Sequence, residues 1–237
     1  MIIAANLKTN FTRVKTAEYL KELEDYLSSH SIKQEVLVFP AMSSLNPHSG
    51  KVVVGAQNAY GVQNGAFTGE IGSEHLDEFG IKTILIGHSE RRHILGEAQE
   101  LIVEKFNYYK NLGYKIVYCI GESLQIREAG HKVMMDYLYS QFEGIDLDYE
   151  NLIVAYEPVW AIGTGLTPTL EDITSLHVEL KTKFSSPLLY GGSVKVTNAQ
   201  EVLALDGVDG VLVGSASLYV EHFCSMIQFA QELDNNK

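Results

Sequence analysis

One period constrains this chain more than any other feature. Short runs rich in Val, Ile and Leu recur eight times: IIAA at 2 to 5, EVLVF at 35 to 39, KVVVGA at 51 to 56, TILI at 83 to 86, KIVYCI at 115 to 120, NLIVAY at 151 to 156, PLLY at 187 to 190 and GVLVG at 210 to 214. They are nearly continuous rather than alternating, the pattern of strands buried on both faces of a parallel sheet. Most intervening segments have helical spacing. Ala17, Leu20, Leu23, Tyr26 and Leu27 share one face of 16 to 27. Leu101, Ile102, Lys105, Phe106 and Tyr109 do so in 98 to 112, and Ile173, Leu176, Leu180 and Phe184 in 171 to 184.

The order is therefore β-α repeated eight times, about 30 residues per unit, with no Gly/Ser/Pro linker to divide residues 1 to 237 into more than a single domain. An eightfold repeat closes most naturally into a (β/α)8 barrel. A doubly wound open sheet is the alternative, but no GxGxxG follows the first run. One unit is irregular: only AMSSLNPHSG separates the second and third runs and Pro47 interrupts it, which predicts a very short crossover helix.

Charge narrows the partners. The net charge of -12, from 18 basic and 30 acidic residues, supplies no positive face for nucleic acid or an anionic membrane. The same field repels an anionic metabolite, so a phosphate site must be local, made of one or two cations and backbone N–H groups. No apolar run of about 18 residues offers a membrane span. MIIAANLKTN also lacks the basic flank and long apolar stretch of a signal peptide, so a cytoplasmic protein is expected. Cys119 and Cys224 show neither CxxC nor metal-ligand spacing, and no disulfide scaffold or metal site is expected.

The residues with chemical potential cluster by position. Asn6 and Lys8 follow the first run, His88 and Glu90 the fourth, Glu157 the sixth, Ser193 the seventh, and Ser215 the eighth. In a barrel, that end of the strands is where active sites are built. Each residue alone has an ordinary reading: Lys8 as a solvated charge, Glu90 as an ion pair with Arg91 or Arg92, Cys119 as a small core residue. Together they describe one site.

Taken with their order and spacing, AANLK (4 to 8), NGAFTGEI (64 to 71), IGHSERRH (86 to 93), YCIGE (118 to 122), AYEPVWAIGTG (155 to 165), YGGSV (190 to 194) and VDGVLVGSASL (208 to 218) resemble the triosephosphate isomerase family across essentially the whole chain. The first motif departs from the family's NWKMN at Leu7 and Thr9. Ser215 stands where the family usually has the second glycine of GGASL, bringing a Cβ and a hydroxyl towards the expected phosphate.

The resemblance implies a TIM barrel and an aldose-ketose isomerase of glycolysis and gluconeogenesis. Such an enzyme interconverts dihydroxyacetone phosphate and D-glyceraldehyde 3-phosphate through an enediolate, without metal or organic cofactor. It implies Glu157 as the base, and apolar neighbours Tyr156, Pro158, Val159 and Trp160 would raise its pKa. His88 and Asn6 would donate to the developing oxyanion and Lys8, the only obvious cation, would add a fixed charge. A helix starting at His88 would lower its pKa and keep the imidazole neutral, an arrangement for which triosephosphate isomerases are themselves the usual illustration. Glu90 would orient Lys8 or the substrate region.

The phosphate would sit on N–H groups of Gly163, Ser193, Gly214 and Ser215. Pro158 to Gly165 would form a hinged lid, and NGAFTGEI an interdigitating loop carrying Thr68 to a partner subunit in a homodimer, with a tetramer left open. An aldolase would need a Schiff-base lysine late in an interior strand, where Lys8 is poorly placed. A catalytically dead relative serving in binding would be expected to lack Glu157, His88 or Lys8, and all three are present.

Overall fold

A computed structural model describes residues 1–162 and 166–236. Its strands are β1 (Ile2–Asn6), β2 (Glu35–Phe39), β3 (Val52–Val54), β4 (Thr83–Ile86), β5 (Lys115–Ile120), β6 (Leu152–Tyr156), β7 (Leu188–Tyr190) and β8 (Gly210–Val213). The helices are α1 (Arg13–Ser29), α2 (Ser73–Glu78), α3 (Ser89–His93), α4 (Gln99–Asn111), α5 (Leu124–Glu128), α6 (His131–Ser140), α7 (Leu170–Leu180), α8 (Val196–Leu203) and α9 (Val220–Asn235). All strand pairs are parallel, in the order β3-β2-β1-β8-β7-β6-β5-β4. The two ends meet through one bridge, Ala56 to Ile84, where the Ala56 N–H donates to Thr83 O at 2.9 Å and its carbonyl accepts from Leu85 N at 2.8 Å. The sheet thereby closes as a (β/α)8 barrel.

Strand parity explains the continuous apolar runs. One set of side chains, among them Ile2, Ala4, Phe39, Cys119, Ala155 and Leu212, fills the barrel interior. The alternate set, including Ile3, Val36, Ile84, Tyr118 and Val211, packs outward against the helices. Both faces of the strands are largely buried, so their middles are apolar and buried polar residues such as Asn6 and Thr83 stand only at strand ends. At the seam, a Cβ on Gly55 would lie 2.4 Å from the Phe39 ring, which requires glycine there.

Two helical faces differ from the expected periodicity. In α1, Thr16 and Tyr19 are buried while Ala17 is exposed; in α4, Leu101 is only half-buried, whereas Lys105 is fully buried as its spacing predicts. The short second crossover reduces to a 3-10 turn at Met42–Ser44. Glu24 on α1 clamps the segment that enters β3: its carboxylate accepts from Lys51 N (3.1 Å), Val52 N (2.7 Å) and His48 Nε2 (3.0 Å). The absence of a side chain at Gly50 admits this carboxylate, since a Cβ there would lie 2.2 Å from Glu24 Oε1. Glu24→Ala should lower stability by about 1–3 kcal/mol, as expected when partly buried donors lose their acceptor. Urea unfolding measures this, and an unchanged midpoint would show that the clamp is dispensable.

Candidate active site

Barrel closure brings the C-terminal strand ends around a cavity of about 410 Å³, whose lining includes Asn6, Lys8, His88, Glu157, Ser193, Gly214 and Ser215. Of the residues predicted from sequence, Gly163 lies outside the described residues, and Thr68 is exposed on the loop after β3. Glu90 reaches the site through Lys8.

Glu157 directly follows β6 and is 2% exposed. Two glycines let neighbouring backbone approach it. A Cβ on Gly121 would lie 1.8 Å from Glu157 O, and one on Gly191 would lie 2.9 Å from Glu157 Cγ. Its Oε1 accepts from His88 Nε2 at 2.9 Å and its Oε2 from the Ser89 N–H at 2.9 Å. The carboxylate therefore caps the first turn of α3 as well as pairing with the imidazole.

The pKa directions correct both sequence expectations. Burial pushes Glu157 up, as its apolar neighbours suggested. The His88 ring, the Ser89 N–H and Lys8 outweigh burial and hold the carboxyl below its usual value. Burial likewise pulls His88 down, but the Glu157 charge and hydrogen bond, helped by Glu90, leave it raised rather than lowered. The Glu90 N–H donates to His88 Nδ1 at 3.3 Å, which assigns the neutral ring's proton to Nε2, on the Glu157 side. Local pairing overrides burial because the partner is within hydrogen-bond distance.

Lys8 has φ +53°, a left-handed backbone that a non-glycine residue rarely adopts. Two side chains hold it there. Asn6 Oδ1 accepts the Lys8 N–H at 3.0 Å, and Gln57 Nε2 donates to the carbonyls of Lys8 (2.7 Å) and Phe39 (2.9 Å). The Lys8 ammonium bonds Glu90 Oε1 at 2.5 Å, so Glu90 pairs with Lys8 rather than with Arg91 or Arg92. A Cβ on Gly214 would sit 3.5 Å from Lys8 Cε, which places the lysine beside the loop after β8.

Sequence reading passed over three groups. Gln57 offers no motif; its role appears only once β1, β2 and the loop after β3 converge. Glu122, within YCIGE, is fully buried and accepts from Tyr156 OH (3.0 Å) and Trp160 Nε1 (2.9 Å). The Arg127 guanidinium lies 4.7 Å from the Trp160 ring centre. Burial pushes the Glu122 carboxyl up, although these donors and Arg127 oppose the shift. Trp160 is thus anchored at the 3-10 turn Val159–Ala161. Thirdly, Lys195 and His222 also line the cavity, so Lys8 is not its only basic side chain. Cys119 lies wholly buried inside the barrel, and burial raises its thiol pKa well above the usual value.

A family model described as Triosephosphate isomerase matches residues 1–230. The chain belongs to the triosephosphate isomerase family. It is 71% identical over 234 residues to a triosephosphate isomerase of Sulfurimonas denitrificans, covering 99% of this chain and 98% of that protein. Identity is 59% over 227 residues to the triosephosphate isomerase of a Sulfurovum species, covering 96% of this chain and 99% of the relative. The triosephosphate isomerase of Wolinella succinogenes is 56% identical over 230 residues, with 96% and 99% covered. The matched range 1–230 includes every residue that lines the cavity.

Proposed function

We propose that this chain interconverts dihydroxyacetone phosphate and D-glyceraldehyde 3-phosphate by proton transfer through an enediolate, as an isomerase of glycolysis and gluconeogenesis. The observation that carries this reading is the buried Glu157–His88 pair, bonded at 2.9 Å, in a cavity that Lys8 also lines. An acid-base isomerisation needs a base for the carbon-bound proton and donors for the oxygen that becomes negative.

The paired state suggests an order of events. The substrate carbonyl oxygen takes the His88 Nε2–H now given to Glu157. Glu157 then loses its strongest stabilising partner while remaining buried, and its basicity rises. It removes a proton from the carbon beside the carbonyl and returns it to the neighbouring carbon, while His88 gives its Nε2 proton to the former carbonyl oxygen and regains one from the adjacent hydroxyl, which becomes the new carbonyl. Asn6 and Lys8 complete the donor set for the enediolate, while Glu90 fixes the Lys8 ammonium.

Backbone N–H groups of Ser193, Gly214 and Ser215 receive the phosphate, joined by Gly163 and by the Ser215 hydroxyl. Pro158 to Trp160 serve as the first hinge of a lid over Glu157, which excludes water from an intermediate that could otherwise expel phosphate. Purified protein given glyceraldehyde 3-phosphate, with no added metal or cofactor, should form dihydroxyacetone phosphate. Absence of that product would sink this reading.

A homodimer is part of the same proposal. Phe67, in the loop after β3, is 40% exposed although its ring packs 4.6 Å from Tyr60; Ile94 and Leu95 after α3 are 76% and 66% exposed. Contact with a second copy would cover such apolar surface. Shortening residues 64 to 71 should yield monomers of low activity in sedimentation and turnover measurements, whereas an unchanged dimer would contradict the assignment. No helix among the described residues is long and apolar enough to cross a membrane. The proposed pathway places the enzyme in the cytoplasm.

A further inference from the structure

We propose that Lys195 and His222 form an outer anion-recognition position at the cavity rim, which attracts the substrate's phosphate and goes on stabilising it once it is seated on the backbone N–H groups. The proposal rests on the phosphate-substrate reading above. It starts from a charge problem: the chain carries -12, and the Lys8 ammonium is already committed to Glu90 at 2.5 Å. A dianion entering this cavity therefore needs positive charge or donors that no carboxylate has claimed.

Lys195 and His222 meet that requirement. Both line the cavity, both are exposed, and among the described residues neither makes an ion pair. They come from the two connections that supply the inner phosphate contacts. Lys195 lies just beyond Ser193 after β7, and His222 lies in the first turn of α9, after Ser215. Tyr219 lines the same wall, its ring 5.1 Å from that of His222. An ammonium and an imidazole N–H suit the oxygens of a phosphate dianion, and an exposed rim charge acts chiefly on capture and on salt dependence.

The lysine side chain can be changed without disturbing the local fold. The cap of α8 is made by the Lys195 backbone N–H, which donates to Asn198 Oδ1 at 2.7 Å. Lys195→Gln should raise KM for glyceraldehyde 3-phosphate and Kd for inorganic phosphate about two- to fivefold, the range expected of one exposed ionic contact, with kcat retained. Adding His222→Gln should raise both further and flatten the salt dependence of kcat/KM, while Lys195→Arg should restore the parent values. Unchanged phosphate affinity in Lys195→Gln, or a fall in kcat at constant KM, would overturn the proposal. Calorimetric titration with inorganic phosphate tests the rim even if the parent protein turned over no triose phosphate, so the two readings can fail separately.

Discussion

Glu157→Gln should lower kcat by about 10²- to 10⁴-fold, the contribution typical of a positioned general base, while leaving the barrel folded. The amide keeps the shape of the carboxylate but only one acceptor oxygen, so it can accept the Ser89 N–H or the His88 Nε2–H, each now 2.9 Å from a carboxylate oxygen, but not both, and it cannot take a proton from carbon. Glu157→Asp separates position from chemistry: it keeps the carboxylate and withdraws it by one methylene, a misplacement of about 1 Å that typically costs on the order of 100-fold. Steady-state turnover with glyceraldehyde 3-phosphate measures both variants. Full turnover in either would remove Glu157 from the role of base.

The largest expected loss of stability lies away from the cavity. Glu97 and Lys105 are buried together; the ammonium bonds Glu97 Oε1 and, at 2.8 Å, Asn58 Oδ1, while Arg91 Nε bonds Glu97 Oε2. Glu97→Ala would strand the Lys105 charge and should destabilise the chain by about 3–5 kcal/mol, whereas Glu97→Leu combined with Lys105→Met should recover most of that loss. Burial already holds Lys105 below its usual pKa, against the opposing pull of Glu97, and removing Glu97 lowers it further. An unfolded lysine then keeps its proton over a range where the folded one has lost it. The single variant's deficit should therefore narrow as pH rises through that range. Urea unfolding at two pH values checks both claims, and a deficit under about 1 kcal/mol would show that the pair contributes little.

How much of this was legible depends on the range of the signal. The eight apolar runs identify the strands because burial on both faces leaves a local trace in every strand. Helical spacing likewise placed Lys105 on the buried face of α4, but nothing in that spacing names Glu97 as its partner. The family motifs mark Glu157, His88 and Lys8, yet the direction of the Glu157 and His88 pKa shifts was misjudged. Apolar neighbours argue for a raised Glu157 and a helix start for a lowered His88, and a hydrogen bond between residues 157 and 88 reverses both. Gln57, Glu122 and Lys195 carried no local signal of their roles, since their partners or shared cavity come from other strands.

The sequence by itself determined the strand count, the parallel barrel and which chemical groups stand at strand ends, because period and burial are properties of neighbouring residues. Tertiary structure alone decided which of those groups touch. Closing the ring through Ala56 and Ile84 brings the ends of strands distant in sequence within hydrogen-bond distance of one another. Only there do a buried carboxylate, an imidazole and a strained lysine acquire their hydrogen-bonding partners.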